Sequence, residues 1–178
     1  MKTNYRLSLL MIALVHSPSL FAKDSSIALS HVVVKLDANW VGKELKVGDA
    51  KNKSAVLNNA AESLSVIVID IVATKAQDEM PIAARTLASQ MAKQKYAAYH
   101  SVTERNSMPT IASKQFANGW NCVQSVLKKT PNADDMYSTY CVATGRGFEV
   151  YAFLETRQPT TENGMNLFKS LLANVMPK

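Results

Sequence analysis

The sequence is poor in the residues that metal centres and phosphate-binding loops require. Its 178 residues include three histidines, two cysteines and six glycines. His31 and His100 are far apart in the chain, and neither has an HExxH motif or a carboxylate cluster beside it, so the sequence predicts no metal site. The only closely spaced glycines, Gly145 and Gly147, form an isolated GxG that indicates a hairpin rather than a phosphate loop. Because a G-x-S-x-G signature is also absent, the sequence predicts no catalytic residue and no cofactor.

Long hydrophobic runs are rare beyond the N-terminus. The most apolar later stretch, residues 66–73, is interrupted by Asp70 and is shorter than the roughly eighteen apolar residues that a membrane-spanning helix needs. The N-terminus differs, because a basic start is followed by an apolar stretch over 7–15 and by small residues up to Ala22. This pattern is typical of an export signal. We therefore expect residues 1–22 to be a signal peptide and the exported protein to be periplasmic or secreted.

Composition and charge are those of one globular domain. Apolar residues make up 47% of the sequence and charged residues 19%, a balance that argues against a disordered protein. We expect residues 23–178 to form a single α+β domain. The formal net charge is +6, but the basic residues are scattered without aromatic neighbours, so no nucleic-acid surface is predicted. The basic cluster around Gly48 is expected to be a solvated loop, with an acidic partner or an anionic membrane surface as the alternative.

Hydrophobic periodicity predicts both strands and helices. Residues 64–73 are apolar on both alternating faces, as expected for a central strand that is covered on each side. Apolar residues at helical spacing predict a helix over 78–98, and Thr161 is a suitable N-cap for a second helix over 162–176. The other predicted extended segments cover residues 27–36, 40–47, 111–118, 119–129, 137–144 and 148–156. Together these elements predict an antiparallel sheet flanked by two helices.

The two cysteines, Cys122 and Cys141, fall in two neighbouring predicted strands. If these strands pair antiparallel through a turn near Pro131, the register that places the cysteines opposite each other also places Val126 opposite Tyr137. Residues directly opposite each other are close enough for a disulfide. A redox-active pair would instead be expected in a Cys-X-X-Cys motif. The sequence therefore predicts a structural disulfide formed in an oxidising compartment.

The order of the predicted elements and one short segment point to a known fold family. Extended N-terminal strands, a long helix, an antiparallel meander and a closing helix resemble the PsbP-like family of α/β/α sandwich domains. Residues 36–40, LDANW, are similar to the opening of those domains, where a strand leads into a proline, a polar residue and a tryptophan; Asp37 stands in place of the proline and Trp40 is the tryptophan. The resemblance implies a small exported accessory domain that binds other proteins and carries no catalytic residues.

The predicted function is a non-enzymatic binding or accessory role in the bacterial cell envelope or outside the cell. The partner is expected to be another protein, for example a toxin blocked by an inhibitor or immunity factor, and the oligomeric state is left open. The candidate binding residues are Trp40, Glu104, Arg105 and Arg146. Two alternatives remain. A hydrolase with scattered residues would use the polar segment 103–107 and His100. A carrier would hold a small apolar ligand against Met91, Met165 and Phe168.

Overall fold

The computed structural model describes residues 26–45, 53–72, 101–128 and 134–178. These residues form ten strands and one helix. The elements are β1 (Ser26–Ala28), β2 (Val32–Lys35), β3 (Val41–Leu45), β4 (Lys53–Asn59), β5 (Leu64–Val72), β6 (Ser101–Ser107), β7 (Asn121–Lys128), β8 (Met136–Gly145), β9 (Phe148–Thr156), α1 (Glu162–Ala173) and β10 (Val175–Pro177). Within these ranges, no helix has the length and apolar character needed to cross a membrane.

The strands form two antiparallel sheets. The larger sheet has the order β3-β4-β5-β9-β8-β7-β6, and the smaller has the order β1-β2-β10. The predicted central strand over 64–73 is confirmed as β5, which pairs with β4 on one side and β9 on the other. One face of β5 is buried, whereas the isoleucines on its other face are half-buried. The strongest apolar pattern in the sequence therefore marks an interior position of the sheet.

A two-residue turn joins β8 to β9. Gly145 pairs with Phe148, so Arg146 and Gly147 alone form the loop, as the isolated GxG predicts. Gly147 has a φ angle of +80°, which a residue without a Cβ adopts at little cost. This confirmed hairpin places Arg146 at an exposed tip at one end of the larger sheet.

Apolar side chains are buried on both faces of the larger sheet. On one face, α1 and the smaller sheet pack against it and complete the main core. This cluster includes Leu29, Val32, Val34, Trp40, Leu57, Val66, Val68, Trp120, Val150, Leu154, Phe168, Leu171, Leu172 and Val175. A second buried cluster contains Val123, Tyr140, Val142, Tyr151 and Phe153, against which Ile67, Ile69 and Ile71 pack. The smaller sheet is thus held on the same face as the helix.

The second cluster contains a hydrogen-bonded pair of titratable residues. Tyr151 lies two positions after Glu149 on β9, so both side chains point to one face of the sheet. The Tyr151 hydroxyl donates to the Glu149 carboxylate. Burial, and then the hydrogen bond and negative charge of Glu149, raise the pKa of Tyr151 well above its ordinary value of 10.0. Tyr151 therefore remains protonated at physiological pH and keeps the buried carboxylate hydrogen-bonded.

The turn over 37–39 contains Asp37, which stands where the PsbP-like domains have a proline. The Asn39 backbone N–H donates to Asp37 Oδ1 at 2.8 Å, and the Trp40 N–H donates to the Asp37 carbonyl at 3.2 Å. An aspartate in this position fixes a turn through its own side chain, whereas a proline would fix it through its ring. Trp40 follows the turn and is only 2% exposed. The segment therefore serves to bring Trp40 into the main core.

Helix α1 begins at the predicted N-cap and is tied to the β4–β5 turn. Thr161 Oγ1 accepts a hydrogen bond from the Gly164 N–H at 2.9 Å. Glu62, in the turn, accepts from the Thr161 hydroxyl at 2.8 Å and from Asn163 Nδ2 at 2.5 Å. The side-chain hydrogen bonds from Asn163 and Thr161 lower the pKa of Glu62 below its ordinary value of 4.5. The carboxylate also lies near the positive end of the helix dipole.

We expect Glu62→Gln to lower the melting temperature at neutral pH. A carboxylate whose pKa is lowered by folding stabilises the folded state above its unfolded pKa, near 4.5, and this contribution disappears as the pH falls through the folded pKa. The difference between the two proteins should therefore be largest at pH 7 and decrease as the pH falls below 4.5, as measured by thermal melts between pH 7 and pH 3. A difference that is the same at both pH values would contradict the role of the charge.

The predicted disulfide and its strand register are confirmed. Cys122 and Cys141 are bonded to each other, with their Cα atoms 4.1 Å apart. They are direct partners in the β7–β8 ladder, and the same register pairs Val126 with Tyr137. Both cysteines belong to the main core. The predicted turn near Pro131 lies outside the described residues. The disulfide therefore links two adjacent strands within the main core.

The prediction of a sheet flanked by two helices is wrong. The described residues form mostly antiparallel strands with the single helix α1, and the predicted helix over 78–98 lies outside them. The predicted strand over 27–36 is divided into β1 and β2, because the chain turns at His31 to reach the Asp70 carboxylate. The predicted last helix ends at Ala173, and the residues after it leave the helix and pair with β2.

Three other segments also differ from their predictions. β4 begins at Lys53, within the predicted exposed loop, and its buried positions are only Ala55, Leu57 and Asn59, which is a weak apolar signal. The β6 sequence is polar and pairs with β7 alone at the edge of the sheet. The predicted strand over 111–118 is a loop, closed by an isolated bridge between Ile111 and Trp120. The two missed strands thus have few apolar residues, and their sequences carry little of the periodicity that predicts strands.

Candidate functional site

A cleft of about 530 Å³ opens at the end of the larger sheet where the β8–β9 hairpin turns. Four segments contribute to it: the β1–β2 turn, the loop between β6 and β7, the hairpin tip, and the residues at and after the end of β10. The lining residues are Ser30, His31, Gln115, Phe116, Ala117, Thr144, Gly145, Arg146, Phe148, Pro177 and Lys178. This cleft is built where the two sheets meet, and residues distant in sequence converge there.

One wall of the cleft is fixed by a buried carboxylate. Asp70, on β5, is fully buried and accepts hydrogen bonds from the backbone N–H groups of His31 and Val32, the latter at 3.2 Å. Its second oxygen bonds to His31 Nδ1 at 2.8 Å. The His31 side chain itself is 33% exposed. Asp70 therefore anchors the β1–β2 turn to the larger sheet and sets the orientation of the His31 ring.

Aromatic rings continue this wall into the core. The His31 ring stacks on Phe148 with a centroid distance of 5.1 Å and an interplanar angle of 4°. Phe116 meets Phe148 edge-on at 6.4 Å and Trp120 edge-on at 5.4 Å. Such offset and edge-on pairs are favoured by the charge distribution of aromatic rings. Since Phe116 and Phe148 are almost completely buried, the apolar side of the cleft is rigidly supported.

The loop that carries Phe116 is held by its own hydrogen bonds. Ser113 Oγ accepts from the backbone N–H groups of Gln115 and Phe116, each at 3.2 Å. The Gly119 N–H donates to the Phe116 carbonyl at 2.8 Å, with Gly119 at a φ angle of +61°. A Cβ at Gly119 would meet the Ile111 carbonyl oxygen at 2.5 Å, so glycine is required there. The loop therefore presents Gln115 and Ala117 to the cleft in a defined conformation.

The charges at the rim of the cleft are positive. Arg146 is exposed at the hairpin tip and forms no ion pair within the described ranges. Lys178 donates from its backbone N–H to the His31 carbonyl at 2.9 Å and from Nζ to the Leu29 carbonyl. In the described part of the chain, no acidic residue lines this cleft. The nearby Asp70 is buried and accepts three hydrogen bonds, so the accessible charges of the cleft are those of Arg146 and Lys178.

A second groove, of about 460 Å³, lies at the opposite end of β9. It is lined by the β4–β5 turn and by residues 155–161, which include Glu62, Glu155 and Arg157. Its charges are mixed, with two acids beside one base. Phe148, the first residue of β9, lines the cleft and Glu155 lines the groove, so the two sites are roughly 23 Å apart along the extended strand. The second groove therefore provides a matched reference surface on the same molecule.

The predicted binding residues occupy different parts of the molecule. Arg146 lines the cleft, whereas Trp40 lies in the main core. Glu104 and Arg105 lie on β6, at the far edge of the larger sheet, where the register shifts between Glu104 and Asn106. A binding role for Trp40, Glu104 and Arg105 stays a prediction, and none of these residues lines the cleft.

Only some residues of the two alternative functions lie in the described part of the chain. His100 and Met91 lie outside the described residues, and Glu104 belongs to β6. Met165 is half-buried against the main core, and Phe168 is fully buried in it. Neither a hydrolase centre nor an apolar-ligand cavity is assembled from these candidates within the described ranges.

Sequence reasoning did not identify His31 and Asp70 as a pair. They are 39 residues apart, and only the docking of the β1–β2 turn on β5 brings them together. One signal was present, since Asp70 is the single charged residue in the most apolar stretch of the chain. A charge in the middle of a buried strand needs a partner. The sequence alone could not say which one.

Comparison with known proteins supports the fold. No protein-family model matches the chain, and no curated protein sequence matches it. Among solved structures, the chain is similar to the solution structure of cyanobacterial PsbP (CyanoP) from Synechocystis sp. PCC 6803, with a TM-score of 0.54 and 14% sequence identity. The match covers 83% of this chain and 87% of that one. The chain therefore has a PsbP-like fold, as the sequence resemblance predicts.

Proposed function

We propose that this protein is an exported, non-enzymatic accessory domain that binds another protein through the cleft at the β8–β9 hairpin. The observation that carries the proposal is the combination, at one cleft, of a rigid aromatic wall with Arg146, which is exposed and forms no ion pair with any residue that the structure describes. Arginine is enriched at surfaces that bind other proteins, and a binding residue held on a rigid support loses little conformational entropy when a partner binds. A fold alone does not define a function, so the proposal rests on this site.

Export is the second part of the proposal. The disulfide between Cys122 and Cys141 supports it, because such bonds persist in oxidising compartments outside the cytoplasm. The signal-like residues 1–22 support it independently. We propose residues 23–178 as the single exported domain.

Affinity capture with matched charge variants tests the binding function. A tagged protein is expressed in its native cells as wild type, Arg146→Glu and Arg157→Glu, and the captured proteins are quantified by mass spectrometry. Reversing a charge at a docking surface converts an attraction into a repulsion, so Arg146→Glu should reduce recovery of one partner about tenfold. Arg157→Glu changes the net charge identically at the opposite end of β9 and should retain the partner. Equal recovery with both variants, or recovery of no specific protein, would contradict the proposal.

A further inference from the structure

The charges and the aromatic rings of the cleft indicate the kind of ligand that fits it. Resting on the proposed function above, we infer that its occupant is an acidic peptide segment of the partner, with an aspartate or glutamate next to an aromatic or large aliphatic side chain. The carboxylate would lie at the cationic rim and the apolar side chain against the aromatic wall. The two halves of this motif follow from two separate sets of residues.

The rim provides donors for a carboxylate. Arg146 presents a planar guanidinium that binds a carboxylate with two parallel hydrogen bonds, and its exposed position at a two-residue turn leaves it accessible. Lys178 uses one of its three ammonium donors on the Leu29 carbonyl, so two remain. With no acidic residue among the lining residues of the described chain, nothing there competes with an incoming carboxylate.

The wall provides the apolar contact. His31 and Phe148 stack in parallel, and Phe116 packs edge-on against Phe148. Asp70 and the Ser113 hydroxyl fix the two backbone segments that carry these rings. A wall that is already ordered requires little further loss of conformational entropy when a ligand binds. An apolar side chain adjacent to the carboxylate would cover the His31 side chain, which is 33% exposed and is supported from beneath by the buried Phe148 and Phe116, whereas a simple anion would leave it in contact with water.

The second groove has a different charge pattern from the cleft. Glu62 and Glu155 line that groove beside Arg157, so an acidic segment would meet like charges there. Electrostatic complementarity of this kind selects the binding site as well as the partner. An acidic segment should therefore prefer the cleft near Arg146 over the groove near Arg157.

Selection from random dodecapeptides displayed on phage tests the inference. The purified mature protein should enrich peptides with aspartate or glutamate within two positions of a large apolar residue. The Arg146→Glu protein should lose this enrichment, and the Arg157→Glu protein should keep it. Unchanged thermal melts would verify that each variant is folded. Enrichment of neutral or basic peptides, no enrichment over a blank surface, or equal enrichment on Arg146→Glu would overturn the inference.

A double-mutant cycle then identifies the contact. For the best selected peptide, Arg146→Gln should weaken binding about tenfold, as expected for a charge-assisted hydrogen bond, and replacing the peptide acid by its amide should do the same. The peptide change should have little further effect on the Arg146→Gln protein. Independent, additive losses would contradict a contact between these two groups. If partner capture depends on Arg146 but no acidic motif is selected, the inference fails while the proposed function stands; if capture does not depend on Arg146, the proposed function fails.

Discussion

Asp70→Ala should lower the free energy of unfolding by about 3 to 5 kcal/mol, the cost typical of breaking a buried charged interaction. The substitution removes a carboxylate that accepts from two backbone N–H groups and from the His31 ring. The N–H groups of His31 and Val32 would lose these acceptors, and an unpaired buried donor costs about 1 to 3 kcal/mol. Urea denaturation followed by circular dichroism measures the loss.

Two variants separate the parts of this interaction. Asp70→Asn keeps a carbonyl oxygen that accepts from the backbone N–H groups, so its loss should be well below that of the alanine variant. His31→Phe keeps the backbone donor and the stacking on Phe148 but removes the ring hydrogen bond to Asp70. That bond joins a charged acceptor and should contribute about 1.5 to 3 kcal/mol. If Asp70→Ala were no more destabilising than His31→Phe, Asp70 would not be what docks the β1–β2 turn.

Loss of the disulfide should also be strongly destabilising. The double variant Cys122→Ala with Cys141→Ala is expected to lose roughly 3 kcal/mol, because the bond closes a loop across 19 positions and restricts the unfolded chain. This is a large share of the roughly 5 to 15 kcal/mol that stabilises a typical domain. Urea midpoints of the oxidised wild type, the reduced wild type and the double variant measure the effect.

The reduced wild type is the control for packing at the two cysteines. Its urea midpoint should be close to that of the double variant, because both proteins lack the covalent link. The reduced protein retains the two sulfur atoms in the main core, so it separates the effect of the bond from the effect of packing. Equal stability of oxidised and reduced wild type would show that the bond does not limit the unfolded chain, and would remove the main stabilising role assigned to it.

The sequence predicts the strands rich in apolar residues better than those with few. β5 and β9 are apolar along most of their length, and the β8–β9 turn follows from two glycines. The disulfide register follows from simple pairing arithmetic. β4 and β6 were missed because their sequences, KSAVLNN and SVTERNS, contain few apolar residues and therefore give a weak periodic signal. The segment over 27–36 has the pattern of one strand, but hydrogen bonds to Asp70 hold it in a turn at His31. No apolar period indicates this turn.

Arg146 is the one residue of the candidate site that the sequence predicts. Arg146 follows from its place at the tip of a predicted hairpin, a local feature. His31, Asp70 and Lys178 come from separate regions of the chain and meet through the docking of the smaller sheet on the larger one. Long-range placement of this kind has no local sequence signal. A buried aspartate in an apolar strand shows that a partner must exist, and the fold then identifies it.

Photo-crosslinking in native cells tests most directly whether the cleft contacts a partner. A benzophenone amino acid is placed either at Ala117, exposed at the cleft, or at Gln158, exposed at the opposite groove. We expect one discrete protein adduct from position 117 and none from position 158. Adduct formation only from position 158, or no adduct from position 117 with folded protein, would contradict it.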